Sequence, residues 1–134
     1  MAYFDGRDKP IKNVWINRAD PNNSINHNYM VEMENGIRLN GGVSITNVTK
    51  GLESYTIEMY LRKNDTLYWY ALWGNSSYAT GTNVRGQNAT DLRVNSTTGE
   101  KQMTLSRPIT DAQFTRLTFV VNKGVMSVYE NGVL

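Results

Sequence analysis

Tyr55-Thr56-Ile57-Glu58-Met59-Tyr60-Leu61-Arg62 sets Tyr55, Ile57, Met59 and Leu61 alternately against Thr56, Glu58, Tyr60 and Arg62. A period of two is the mark of a strand with one face on a core and the other in water. Helical spacing fails over the same residues. Asn64-Asp65 then turns the chain into Leu67-Tyr68-Trp69-Tyr70-Ala71-Leu72-Trp73, an uncharged run that reads as a strand covered on both faces. The two segments are expected to pair as a hairpin, with Met59, Trp69 and Trp73 toward the core.

Downstream, Gly74 to Gly99 is dominated by Asn, Ser, Thr and Gly, and only Leu92-Arg93-Val94 there resembles a strand. Long loops on a rigid sandwich often carry function. Gln102 to Ser106 reads as a further strand ended by Pro108, and Thr110-Asp111-Ala112-Gln113 has the capping-box spacing of a single helical turn. Arg116 to Asn122 and Val125 to Glu130 form a last hairpin around Lys123-Gly124.

Upstream, Tyr29 to Glu34 and Ile37 to Leu39 flank Asn35-Gly36, a strong hairpin signal, and Asn40-Gly41-Gly42 precedes Val43-Ser44-Ile45. Residues 1–29 hold the turn formers Asp20 to Asn28, with one short strand expected at Val14 to Ile16, and read as an arm or extended loop. The expected organisation is an arm over 1–29 and an all-β sandwich over 30–134.

The 134 residues hold 40% hydrophobic and 19% charged side chains and a net charge of +2. That is one globular domain, with too small a basic excess for a nucleic-acid partner. No Cys is present, which excludes disulfides, thiolate metal sites and thiol chemistry. No stretch has the roughly 20 apolar residues of a membrane helix, and the N-terminus lacks a signal peptide's apolar run. The chain is therefore expected to be made in a cytoplasm and to insert in no membrane, with the sequons at Asn22, Asn47, Asn64, Asn75, Asn88 and Asn95 unmodified.

The last hairpin, Leu117-Thr118-Phe119-Val120-Val121-Asn122-Lys123-Gly124-Val125-Met126-Ser127-Val128-Tyr129-Glu130-Asn131-Gly132, resembles the late strands of laminin-G-like and concanavalin-A-like lectin domains. Gly36 to Ile45 resembles that family's opening strands, and Ser54 to Tyr60 a strand of its second sheet. The resemblance covers residues 30–134 and implies an antiparallel jelly-roll sandwich. Phe114 stands where the family usually has a Trp. A further strand should follow Asn131-Gly132, so the sandwich is expected to be incomplete at its C-terminus, finished by more of the same protein or by a neighbouring chain.

For catalysis, His27 has no Ser or Asp pattern around it. Glu32 and Glu34, two apart on an expected strand, are the carboxylate pair a glycoside hydrolase of this sandwich would need, but solvated charge explains them better. Asp20, Asn22, Ser24 and Asn26 alternate like the start of an EF-hand loop, yet Pro21, Ile25 and Val31 break the pattern. No cofactor is expected; the resemblance leaves calcium at the sandwich rim, through Asp65 and Asp91, as the alternative.

Sugar binding has the clearest physical basis, because aromatic faces stack on pyranose rings while amides and carboxylates bond the hydroxyls. Its expected residues are Tyr60, Tyr68 and Tyr70 on an outer face, with Asn75, Tyr78 and Asn83 in adjoining loops. Covering the core, or contact with another subunit, is the competing explanation for these tyrosines. The reading is a non-enzymatic attachment or assembly module, a bacteriophage virion component such as a head fibre, tail or decoration protein. Its partners would be other copies of itself and a cell-surface glycan. A free, extracellular carbohydrate-binding module is the alternative.

Overall fold

The structure, a computed structural model, describes residues 1–26, 30–34, 36–39, 44–45, 48–49, 51–63, 69–74, 83–88, 90–96 and 98–134, and for 69–71, 83 and 96 the backbone alone. The chain divides into two compact units, 1–50 and 51–134.

In the first unit, β1 (Val14–Trp15) pairs antiparallel with β2 (Ile25–Asn26). Lys12 and Asn13 take φ of 50° and 65° between the bridged residues Ile11 and Val14, a tight turn that suits Asn in particular. In the stretch read as an arm, buried polar side chains stand beside buried Ile25 and the Phe4–Trp15 ring pair. Asn17 is fully buried; its Oδ1 accepts the Tyr3 and Ala19 amides at 2.9 and 3.1 Å, and its Nδ2 donates to the Asn23 carbonyl at 3.2 Å. Buried Asp5 pairs with Arg7 and Arg18, while Arg18 also holds Asp8. These bonds hold the Asp5 carboxyl well below its ordinary range, the Arg7 side-chain hydrogen bond foremost, and the Arg18 hydrogen bond lowers Asp8.

β3 (Met30–Met33) and β4 (Gly36–Leu39) form a hairpin in which Met33 pairs with Gly36. The turn therefore begins at Glu34, one residue before the expected Asn35-Gly36, and Gly36 belongs to the strand. Lys9 Nζ donates to the carbonyls of Met33 and Gly36 on either side of this turn.

The second unit is an antiparallel sandwich. One sheet has the order β11 (Val125–Glu130), β10 (Thr115–Asn122), β5 (Ser54–Leu61). The other runs β6 (Trp69–Gly74), β7 (Asn83–Gln87), β8 (Asp91–Ser96), β9 (Gly99–Thr104). Residue-by-residue alternation in β5 and β10 turns Ile57, Met59, Leu117 and Phe119 inward and leaves Thr56, Glu58, Tyr60 and Arg116 outside. Phe119, Leu117, Ile109, Leu105, Leu92 and Val84 form the buried centre. Leu105 and Ile109 come from the crossover between the sheets. The β10–β11 hairpin turns at Lys123 and Gly124, with φ of 47° and 83°, the left-handed pair that a two-residue connection requires.

Four expectations fail here, each for a local reason. β5 and β6 do not pair but stand in different sheets. A bulge between Ala71 and Trp73 shifts the register, so Trp69, placed as backbone only, pairs with Gln87 whereas Trp73 pairs with Val84; the strand does not keep one parity between the two positions. β7 lies in the stretch read as loop, because only Val84 among its residues is an apolar side chain, yet Val84 and Gly86 are buried. Finally, Thr110 to Gln113 forms no helical turn; the Thr110 hydroxyl instead accepts the Ala112 amide at 3.3 Å.

Candidate functional site

The outer face of the three-stranded sheet gathers an aromatic and basic patch. Tyr60, at the outward end of β5, is 70% exposed. Its ring stacks on that of half-buried Phe114, centroids 4.9 Å apart and planes 13° from parallel. The Arg62 guanidinium lies 5.1 Å from the Phe114 centroid, and its Nη1 donates to the Asp111 carbonyl at 3.3 Å. Phe114 is thus the common wall of both side chains.

Across the strand boundary, Tyr60 is in register with Arg116, and Glu58 with Thr118. Thr118 pairs in turn with Tyr129. The Thr118 hydroxyl donates to Glu58 Oε2 at 3.3 Å. Arg116 is anchored through its backbone: its amide donates to Asn131 Oδ1 at 3.0 Å and its carbonyl accepts the Asn131 amide at 2.8 Å. A Cβ at Gly132 would stand 3.2 Å from Arg116 Nη2. Glycine there both allows φ of 88° and leaves room for the guanidinium.

On the opposite sheet the outward arginines are paired with a carboxylate. Glu100 takes Arg85 at 2.7 Å and Arg93 at 3.0 Å, while Arg93 Nε donates to Gln87 Oε1 at 2.9 Å. Asp91, the rim carboxylate considered for calcium, accepts Thr104 Oγ1 at 3.0 Å and Asn88 Nδ2 at 3.1 Å. Among the described residues there is no group of three or more His, Cys, Asp or Glu placed to hold a metal.

All but one of the expected sugar-binding side chains escape description. Tyr68, Asn75 and Tyr78 lie outside the described residues, as do His27 and Asp65; Tyr70 and Asn83 are placed only as backbone, in β6 and β7. Tyr60 and Tyr70 belong to strands of different sheets. Tyr60 is exposed as expected. Glu32 sits on β3 and Glu34 in the turn that follows, so they do not share a strand face. Ser24, in the EF-hand-like stretch, donates to the Pro21 carbonyl at 2.7 Å and accepts the Asn17 amide at 3.1 Å; Pro21–Asn23 is a short 3-10 turn rather than a calcium loop. Phe114 and Arg116 were missed as site residues. The outward period of β5 and β10 carried the signal for Arg116; nothing local carried it for Phe114, whose partner is distant in sequence.

A model of the concanavalin A-like lectin/glucanases superfamily matches residues 35–134. The chain belongs to this superfamily. The match spans the whole sandwich and every residue of the Tyr60 patch. No curated protein and no solved structure matches the chain. At this level the molecule is a lectin-like β-sandwich module.

Proposed function

We propose that this concanavalin A-like domain is a non-catalytic recognition module that holds a carbohydrate against Tyr60 on the outer face of the three-stranded sheet. The observation that carries the reading is the state of that ring. One face is backed by Phe114, yet the side chain remains 70% exposed, which leaves its other face to a ligand. Glu58, Thr118 and Arg116 stand beside it as acceptors and donors for hydroxyls. A hydrolase would need two carboxylates across a scissile bond, and the Glu32 and Glu34 candidates occupy a strand and a turn.

The setting proposed for the module is a multisubunit attachment structure, a bacteriophage virion in the first instance and a free extracellular module in the second. Supporting a multisubunit setting, β11 ends the order of its sheet among the described residues, and Val125 on it is 68% exposed. Light scattering after size exclusion tests this part: the expected species is an oligomer, and a stable folded monomer would count against it.

A glycan array probed with the wild-type chain and with Tyr60→Ala tests the recognition. Signal that disappears in the variant, with the fold intact by circular dichroism, is the expected outcome. No signal on any glycan, or one indifferent to Tyr60, removes the site.

A further inference from the structure

We infer that the saccharide held at Tyr60 is anionic, and that Arg116 reads its carboxylate or sulfate group. This deepens the recognition proposed above and rests on it. The argument is one of charge left over. On the four-stranded sheet the outward arginines Arg85 and Arg93 share the Glu100 carboxylate, so each guanidinium there has an anionic partner. At the Tyr60 end of the three-stranded sheet, Arg62 shares the Phe114 ring with Tyr60 and Arg116 is the register partner of Tyr60, and neither guanidinium is paired with a carboxylate within 4 Å among the described residues. Arg62 is committed to the Phe114 ring and the Asp111 carbonyl.

Arg116 differs in that its fixed bonds run through the backbone. Its guanidinium lies over Gly132, where no side chain intrudes. The nearest outward carboxylate in the register, Glu58, is opposite Thr118 rather than Arg116 and accepts that residue's hydroxyl. An arginine whose planar fork of donors meets no carboxylate among the described residues, in register with a stacking ring, matches a sugar that carries its charge at the rim of the pyranose. A neutral sugar would leave that fork to water.

The test compares binding of polygalacturonate, its carboxyl-reduced galactan and a sulfated galactan to the wild-type chain, Tyr60→Ala, Arg116→Gln and Arg116→Lys. The expected result is binding to one or both acidic polymers, weakening with salt, and at least roughly tenfold poorer binding of the reduced polymer and in Arg116→Gln. Arg116→Lys should recover only part of the loss, because an ammonium cannot bond in a bidentate manner. Preference for the carboxylated or the sulfated polymer then says which anion is read. Tyr60-dependent binding that is equal for the reduced polymer overturns the inference and leaves the recognition site standing. Binding indifferent to Tyr60, or full retention in Arg116→Gln, overturns it as bulk charge attraction. Failure of all three polymers to bind also overturns it, and the glycan array then decides separately whether any saccharide is held.

Discussion

Tyr60 and Phe114 stack 4.9 Å apart at 13°, although one comes from the middle of the chain and the other from the crossover just before its penultimate strand. The pair joins β5 to that crossover on the face away from the core. Phe114 has no place in the buried cluster and is half-exposed, so its main work is to hold Tyr60 upright and to receive Arg62.

Phe114→Ala should therefore separate support from folding. Loss of a partly exposed aromatic pair is expected to lower stability by only about 1 kcal/mol, measured by urea unfolding. Glycan affinity should fall nearly as far as in Tyr60→Ala, because an unbacked tyrosine must be ordered by the ligand at an entropic cost. A variant with unchanged affinity would show that Tyr60 needs no wall.

Phe119→Ala should behave in the opposite way. Its ring is fully buried, and it meets Trp73 edge-on at 5.7 Å across the two sheets. Truncation there opens a cavity between the layers and is expected to cost about 3–5 kcal/mol. Thr56→Ala, exposed on the outer face of the same sheet, should stay within about 0.5 kcal/mol. Similar denaturation midpoints for the two variants would contradict the assignment of faces.

The contrast explains which parts of the fold were legible in the sequence. β5 and most of β10 alternate because each has one wet and one dry face, and their bounds, with those of β11 and its turn, were read within a residue or so. β7 defeats the same test: its outward Arg85 and Gln87 and its buried Gly86 leave Val84 as a lone apolar signal, although the strand is central. The β6 register was beyond a count of residues, since one bulge reverses parity between Trp69 and Trp73. The site divides likewise. Tyr60 and Arg116 follow from strand period, while Phe114 is brought to Tyr60 only by the path of the crossover.

Lys123→Asn should stabilise the sandwich. Lys123 adopts φ of 47° ahead of Gly124 at 83°, a conformation that costs a lysine more than an asparagine. Its amide bond to the Glu53 carbonyl at 3.0 Å is kept by the substitution. A gain of about 0.5 kcal/mol is expected, seen as a rise of a few degrees in Tm. Gly124→Ala should instead destabilise by about 1 kcal/mol or more. A fall in Tm for the asparagine variant would show that the lysine side chain has a role at the turn.

Acid should loosen the first unit through Asp5 and Asp8. Trp15 Nε1 donates to the Asp5 carbonyl at 2.9 Å and its ring lies 5.2 Å from that of Phe4, so the Asp5 cluster has an indole attached to it as a reporter. The Arg7 side-chain hydrogen bond, then the Arg7 amide, and then the charges of Arg7 and Arg18 depress the Asp5 carboxyl against the opposing effect of burial. In the folded state both aspartates thus hold their protons less tightly than at the ordinary value of 3.8. Below about pH 4 the unfolded chain binds more protons than the folded one, and stability falls as pH falls; above that window the contribution is complete. Tryptophan fluorescence followed during urea unfolding should show the loss setting in below about pH 4 in the wild-type chain. Asp5→Asn combined with Asp8→Asn should be less stable at pH 7 and should lose less on further acidification. An unchanged acid slope in that variant would mean that carboxylates elsewhere govern the transition.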